Sequence, residues 1–272
     1  MSAFARTAFI GGGSMAGALI GGLLKAGADP GQLHAVEIDA ARREQLAREY
    51  AISTAPNAGA AVDSAELIVL ALKPQQMKEA CVSLALHMKS QLVLSIAAGI
   101  RARDIARWLG TDTIVRAMPN TPALIGLGIS GLAALPAVSA AQREAAATVL
   151  RAVGKIVWFD DESQLDAVTA ISGSGPAYVF CFIEALIAAG RELGLSDAQA
   201  RELAIGTFTG SAQLAAQSGE PPQVLRERVT SKGGTTAAAL AVLQTAQVRQ
   251  SVIDAVLAAH LRAGQLGDEF GK

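Results

Sequence analysis

The chain has 272 residues, of which 23 are basic and 24 acidic, for a formal charge of −1. That balance excludes the basic surface that grips a nucleic-acid backbone, and the length predicts one or two ordinary domains. Hydrophobic residues make up 51% but aromatics only 4%, with 27 glycines, which excludes an aromatic-rich β-sandwich in favour of close-packed helices and tight turns.

The N-terminal stretch Thr7 to Leu24 carries no charge and resembles a secretory signal or a short membrane span. Its six glycines argue against an apolar helix, because glycine costs about 1 kcal/mol per helical position relative to alanine. A strand at Ala8–Ile10 followed by a helix at Ser14–Ala26 is the better reading. Strands then follow at Leu33–Ile38, Leu67–Leu72, Leu92–Ile96 and Thr113–Met118. Helices between them are predicted at Ala40–Tyr50, Gln75–Leu86 and Arg101–Leu109. Each strand is apolar on both faces, as in a parallel sheet covered on both sides. The uncharged run Ala117–Gln142 is long enough to span a bilayer, but Pro119, Pro122 and Pro136 break it into strand and loop. A helix at Ser139–Val153 and a strand at Ile156–Phe159 close the unit. Alternation at this spacing predicts a doubly wound α/β domain with a mainly parallel sheet over residues 1–160.

After Asp160-Asp161-Glu162 the character changes. Residues 161–272 predict an all-α domain, with breaks at Ser172–Pro176, Gly194–Ser196, Gly219–Pro222 and Lys232–Gly234. The uncharged helical stretches Ala167–Ile183 and Leu203–Gly219 hold more apolar surface than one such unit buries alone, so a second subunit is expected to cover them. Cys81 and Cys181 read as buried, reduced thiols, and no disulfide framework or metal site is expected. The protein is expected to be soluble and cytoplasmic, with neither a membrane nor a nucleic-acid partner.

Ile10-Gly11-Gly12-Gly13-Ser14-Met15-Ala16 follows a strand and opens a helix, so Gly11, Gly13 and Ala16 fit G-x-G-x-x-A in its proper context. Gly11 permits the turn, Gly13 lets the backbone approach a pyrophosphate, Ala16 allows helix and strand to pack closely, and the helix N-terminus offers N–H groups. This predicts a Rossmann dinucleotide site. Glu37 and Asp39, at the end of the second strand, suit a ribose 2′-hydroxyl, whereas Arg42 and Arg43 suit a 2′-phosphate, so NADH and NADPH both stay open. Ala71-Leu72-Lys73-Pro74, Ser95–Gly99 and the turn around Asn120 lie at strand carboxyl ends and are expected to rim the crevice. In the helical half, Thr230-Ser231-Lys232-Gly233-Gly234-Thr235-Thr236 reads either as an anion site or as a simple capped turn.

Between Lys155 and Lys232 there is no lysine, and His34, His87 and His260 stand away from the glycine-rich breaks. Apart from Tyr178, the side chains that usually deliver a proton in carbonyl reduction are missing. A protonated imine solves this, because it brings its own proton and needs only orientation and a nearby hydroxyl.

Together these motifs resemble the Δ1-pyrroline-5-carboxylate reductase family over nearly the whole chain. The resemblance rests on Ile10–Ala16, Leu72-Lys73-Pro74, Ser95–Gly99, Arg116–Pro122, Ser172–Tyr178 and, most specifically, Pro222 through Val229–Thr236 to Leu243. It implies a Rossmann domain, then a helical dimerisation domain whose helices interleave with the partner's, and dimers assembled into a decamer. It also implies NADPH- or NADH-dependent reduction of L-1-pyrroline-5-carboxylate to L-proline, the last step of proline biosynthesis. By the resemblance, Gly11, Gly12, Gly13, Ser14, Met15 and Ala16 contact the pyrophosphate. Ala71, Leu72, Lys73, Pro74, Ala97, Ala98 and Gly99 line the nicotinamide side, and Asn57 approaches the adenosine half; Asp39 and Asn120 are expected at the cofactor crevice from their strand-end positions alone. Ser231, Gly233, Gly234 and Thr235 hold the substrate carboxylate, and the Thr236 hydroxyl faces the imine nitrogen. Two departures stand out: Lys232 replaces a common proline, and Glu37-Ile38-Asp39 replaces a frequent Asn-Arg pair. The alternatives are a β-hydroxyacid dehydrogenase, for which the expected lysine is missing, and a nucleotide-binding scaffold without turnover.

Overall fold

The computed structural model describes residues 5–272. The chain forms two compact units, one running to Ser174 and taking back Ala259–Lys272, the other comprising Gly175–Ala258.

In the first unit the elements run β1 (Thr7–Ile10), α1 (Ser14–Lys25), β2 (Leu33–Val36), α2 (Ala40–Tyr50), β3 (Ser53–Ala55), α3 (Ala60–Asp63), β4 (Leu67–Leu70) and α4 (Pro74–Leu84). They continue with β5 (Leu92–Ser95), α5 (Ala102–Leu109), β6 (Ile114–Met118), β7 (Gly128–Ala134), α6 (Ala140–Arg151), β8 (Gly154–Trp158) and α7 (Gln164–Val168). The eight strands form one sheet in the order β3-β2-β1-β4-β5-β6-β7-β8. All neighbours are parallel except β6 and β7, whose short 3₁₀ connection at Thr121–Ile125 is too brief for a crossover and so reverses the chain.

Alternate residues of each strand feed two cores. Phe9, Leu33, Val69, Leu94 and Val115 pack on one face, while Ala8, Ile10, Ile68, Leu70 and Val93 pack on the other. This is why the strands read as continuous apolar runs. Full burial of side chains such as Phe9, Leu67 and Ile68 contributes about 1.5–3 kcal/mol each.

The alternating plan is borne out, with shifts at element ends. Two strands were not placed by sequence. β3 is only Ser53–Ala55, too short for a hydrophobic period, and β7 lies inside the proline-broken run read as strand and loop. Pro74 begins α4 at its first turn, where its missing N–H costs nothing. The signal-like stretch Thr7–Leu24 is β1 and α1, half of the sheet's first βα unit.

The second unit contains α8 (Gly175–Glu192), α9 (Asp197–Ser218), α10 (Pro222–Arg228), α11 (Thr235–Thr245) and the first part of α12 (Val248–Phe270). No strand occurs in it among the described residues, as expected. α8 and α9 pack closely at Gly190, where an added Cβ would stand 2.8 Å from that of Ala200. Little else is covered: Val179, Phe180, Leu203, Leu214 and Val242 are exposed. The helical run Gln164–Glu192 is long and apolar enough to cross a membrane; an 18-residue window within it has a mean hydropathy of 1.5 and is 6% buried. Cys181, on α8, is exposed, contrary to the expectation of a buried thiol; α8 turns more side chains outward than an apolar run in a closed core would. Cys81 is buried as expected.

Candidate active site

At the end of β1 the chain turns through Gly11 with φ +98°, a backbone conformation that side chains rarely adopt. A Cβ there would lie 2.6 Å from the Ala71 carbonyl oxygen, and one on Gly12 would lie 2.7 Å from Leu46. Gly13 caps α1 without a side-chain hydrogen bond, and an added Cβ would meet nothing within 4 Å. Ser14 is exposed, Met15 half-buried and Ala16 fully buried against the core. The helix N-terminus is thus free and faces open space past a residue with no side chain, an arrangement that can accept a pyrophosphate.

Beside it lies a cavity of about 400 Å³ walled by β2, the turn after β3 and α4, including Gly11, Glu37, Ile38, Asn57, Leu72 and Glu79. Its size and its place beyond the strand carboxyl ends suit the adenosine half of a dinucleotide. Glu37 points into the loop: its Oε2 accepts from the Gly12 amide at 2.7 Å and its Oε1 from the Asp39 amide at 2.9 Å. Asp39, the acid favoured by sequence, spends its carboxylate on capping α2 through the Arg42 amide at 2.9 Å. An aspartate directly before a helix is the cap signature.

The other rim residues occupy three neighbouring turns. Ala71 and Leu72 are half-buried, and Lys73 is exposed before Pro74 at the start of α4. Lys73 makes no ion pair among the described residues. Ala97 is buried and Ala98 half-buried, while Gly99 has φ +71° and leaves 3.0 Å between an added Cβ and that of Leu266. Asn120 is buried and braces the protein itself, donating from Nδ2 to the Ser172 carbonyl at 3.1 Å and accepting at Oδ1 from the Ile129 amide at 2.9 Å.

Sequence reading missed a polar cluster below these turns. Arg116, only 3% exposed, pairs with Glu162 at 3.0 Å and Asp166 at 3.5 Å, and Glu162 also accepts from the Ala102 amide at 2.7 Å. A lone arginine inside an otherwise apolar strand is the signal that pointed to it, since such a charge is buried only when paired.

In the second unit, Gly233 turns with φ +73° and Gly234 caps α11 with no side-chain hydrogen bond. A Cβ on Gly234 would lie within 2.4 Å of the Ser231 hydroxyl. Among the described residues nothing hydrogen-bonds the Thr235 or Thr236 hydroxyl, whereas Thr230 spends its own on the Arg226 carbonyl at 2.6 Å. The result is an open helix N-terminus flanked by free hydroxyls, able to hold a small anion.

Residues 162–266 match a family model described as pyrroline-5-carboxylate reductase dimerisation, and residues 6–99 match one described as NADP oxidoreductase coenzyme F420-dependent. The chain is 46% identical over 269 residues to the pyrroline-5-carboxylate reductase of Pseudomonas aeruginosa, covering 98% of each protein. It belongs to the pyrroline-5-carboxylate reductase family. Among solved structures of the family, the Coxiella burnetii reductase superposes with a TM-score of 0.91 at 37% identity, over 96% of this chain and 98% of that one. The Plasmodium falciparum pyrroline carboxylate reductase with NADP bound superposes at 0.87 and 29% identity, over 97% and 98%. The glycine loop after β1 and the Gly-Gly-Thr-Thr turn before α11 both lead into helices with no side-chain cap, and the enzyme class is an NAD(P)H-dependent oxidoreductase.

Proposed function

We propose that this protein reduces L-1-pyrroline-5-carboxylate to L-proline at the expense of NADPH or NADH. Bound in the crevice of the first unit, the cofactor supplies a hydride to the C=N carbon. The C=N electron pair then becomes the nitrogen lone pair of the amine, so a substrate that enters protonated needs no acid from the protein.

The chain's own residues bind and orient. Gly11 to Ala16 receive the pyrophosphate, Asn57 and the residues after β2 the adenosine half, and Ala71–Pro74 with Ala97–Gly99 the nicotinamide side. Ser231, Gly233, Gly234 and Thr235 hold the substrate carboxylate at the α11 N-terminus, and the Thr236 hydroxyl fixes the imine nitrogen. The observation that carries this reading is the pairing, in one chain, of an uncapped glycine-loop helix with an uncapped Gly-Gly-Thr-Thr helix whose hydroxyls are unspent.

The exposed apolar faces of α8, α9 and α11 are those of a dimerisation domain, and we assign them to a second copy of the chain. This covers Gln164–Glu192 without a membrane. Assembly of dimers into a decamer and a cytoplasmic location complete the proposal.

The test is oxidation of NADH or NADPH, followed by absorbance, on addition of pyrroline-5-carboxylate, with proline identified as product. Absence of turnover with both cofactors overturns the reading.

A further inference from the structure

Glu37 stands one residue beyond β2, and both its carboxylate oxygens are pinned by backbone amides, Gly12 at 2.7 Å and Asp39 at 2.9 Å. The same carboxylate lines the cavity beside the glycine loop, where Glu79 adds a second acid and no lysine or arginine contributes to the wall. The two nearby arginines are committed elsewhere. Arg42 donates from Nε to the Gly12 carbonyl at 2.5 Å and lies 3.4 Å from that of Gly13. Arg43 donates to the carbonyls of Glu37 and Ile38, both at 2.8 Å. Ile38 is 77% exposed at the cavity mouth and offers an apolar surface for a purine, but no charge.

We infer that Glu37 makes this enzyme selective for NADH over NADPH. The inference rests on the crevice being the cofactor site. A ribose diol donates to a fixed carboxylate in a charge-assisted bond. A 2′-phosphate, carrying about −1.5 to −2 at neutral pH, meets that carboxylate with like charge, and the cavity wall holds no lysine or arginine among the described residues to compensate. Recruiting Arg42 means breaking its bonds to the loop that holds the pyrophosphate, and recruiting Arg43 means breaking its bonds to the carbonyls just beyond β2. Glu37 is therefore the specificity-determining residue, and Asp39 is a helix cap.

Two measurements on the full-length enzyme test this. Titration of NADH and NADPH without substrate, with ADP and 2′,5′-ADP as competitors, reads binding alone; steady-state kcat/KM with pyrroline-5-carboxylate reads turnover. NADH is expected to bind about tenfold tighter or more, which is the ratio that a single like-charge contact near a surface can produce. ADP should compete better than 2′,5′-ADP. Glu37→Gln, which keeps the shape and one acceptor but not the charge, should shrink the NADH:NADPH ratio at least about fivefold, chiefly by improving NADPH binding. Should that variant fold poorly, the wild-type ratio and the competitor order still decide. Equal or tighter binding of NADPH by the wild type, or an unchanged ratio in a folded Glu37→Gln, overturns the assignment. Tighter NADH binding without turnover upholds it and removes the reductase reading instead.

Discussion

The carbonyl oxygen of Ala71 lies 2.6 Å from where a Cβ on Gly11 would stand, so the β1 turn and the end of β4 are in contact through a residue that has no side chain. With φ at +98°, Gly11 is doubly constrained. Gly11→Ala must open the β1–β4 seam, lowering stability by about 1–3 kcal/mol and weakening cofactor binding about tenfold or more. Calorimetric titration together with urea unfolding measures both, and unaltered affinity would separate the turn from the cofactor site.

Thr236 offers a hydroxyl that no described residue engages. Thr236→Ala is expected to lower kcat/KM by more than about tenfold while leaving the cofactor dissociation constant in place, because an orienting group acts only on the bound substrate. Thr236→Ser should recover most of the loss. Full turnover in the alanine variant would remove Thr236 from the chemistry.

Arg116 carries its charge into the interior against two carboxylates at 3.0 and 3.5 Å. Replacing it by leucine strands Glu162 and Asp166 and should cost about 3–5 kcal/mol. Neutralising all three, as Arg116→Leu with Glu162→Gln and Asp166→Asn, should return most of that stability. The urea midpoint of each variant is the measurement, and an additive further loss in the triple variant contradicts the pairing.

On α8, Val179, Phe182 and Leu186 are exposed at spacings of three and four, which place them on one face. Phe182→Glu puts a charge in the middle of that face and is expected to split the dimer unit, seen in sedimentation as a loss of at least half the assembly's mass. A dimer of unchanged stability would assign the interface to another face.

Burial pushes the Cys81 thiol up from 9.0 to about 12. Below about pH 9 the thiol is protonated in both folded and unfolded chains. Above it only the unfolded chain ionises, so this part of the stability is present below pH 9 and is lost as pH rises toward 12. The unfolding midpoint of Cys81→Ala should therefore fall less steeply than that of the wild type over this alkaline range. Cys81 should also resist alkylation in the native protein, while the exposed Cys181 stays open to it in the isolated subunit.

The alternation of strands and helices, the glycine loop and the Gly-Gly-Thr-Thr turn were all legible in the order of residues, because each depends on local rules: apolar period, positive φ and an uncapped helix start. The pyrroline-5-carboxylate reductase family was legible for the same reason. What sequence left open depends on partners far apart in the chain. Glu37 faces the cavity because the Gly12 amide, 25 positions away, draws its carboxylate inward, while Asp39 is turned aside by the start of α2. Asn120 becomes a brace only because Ser172 and Ile129 arrive beside it. The end of α12 returns to the first unit, where Asp268 meets Arg101 at 2.6 Å across 167 positions. Local patterns determine which backbone can form; the direction in which a charged or amide side chain spends its hydrogen bonds is decided by whatever the fold brings within 3 Å of it.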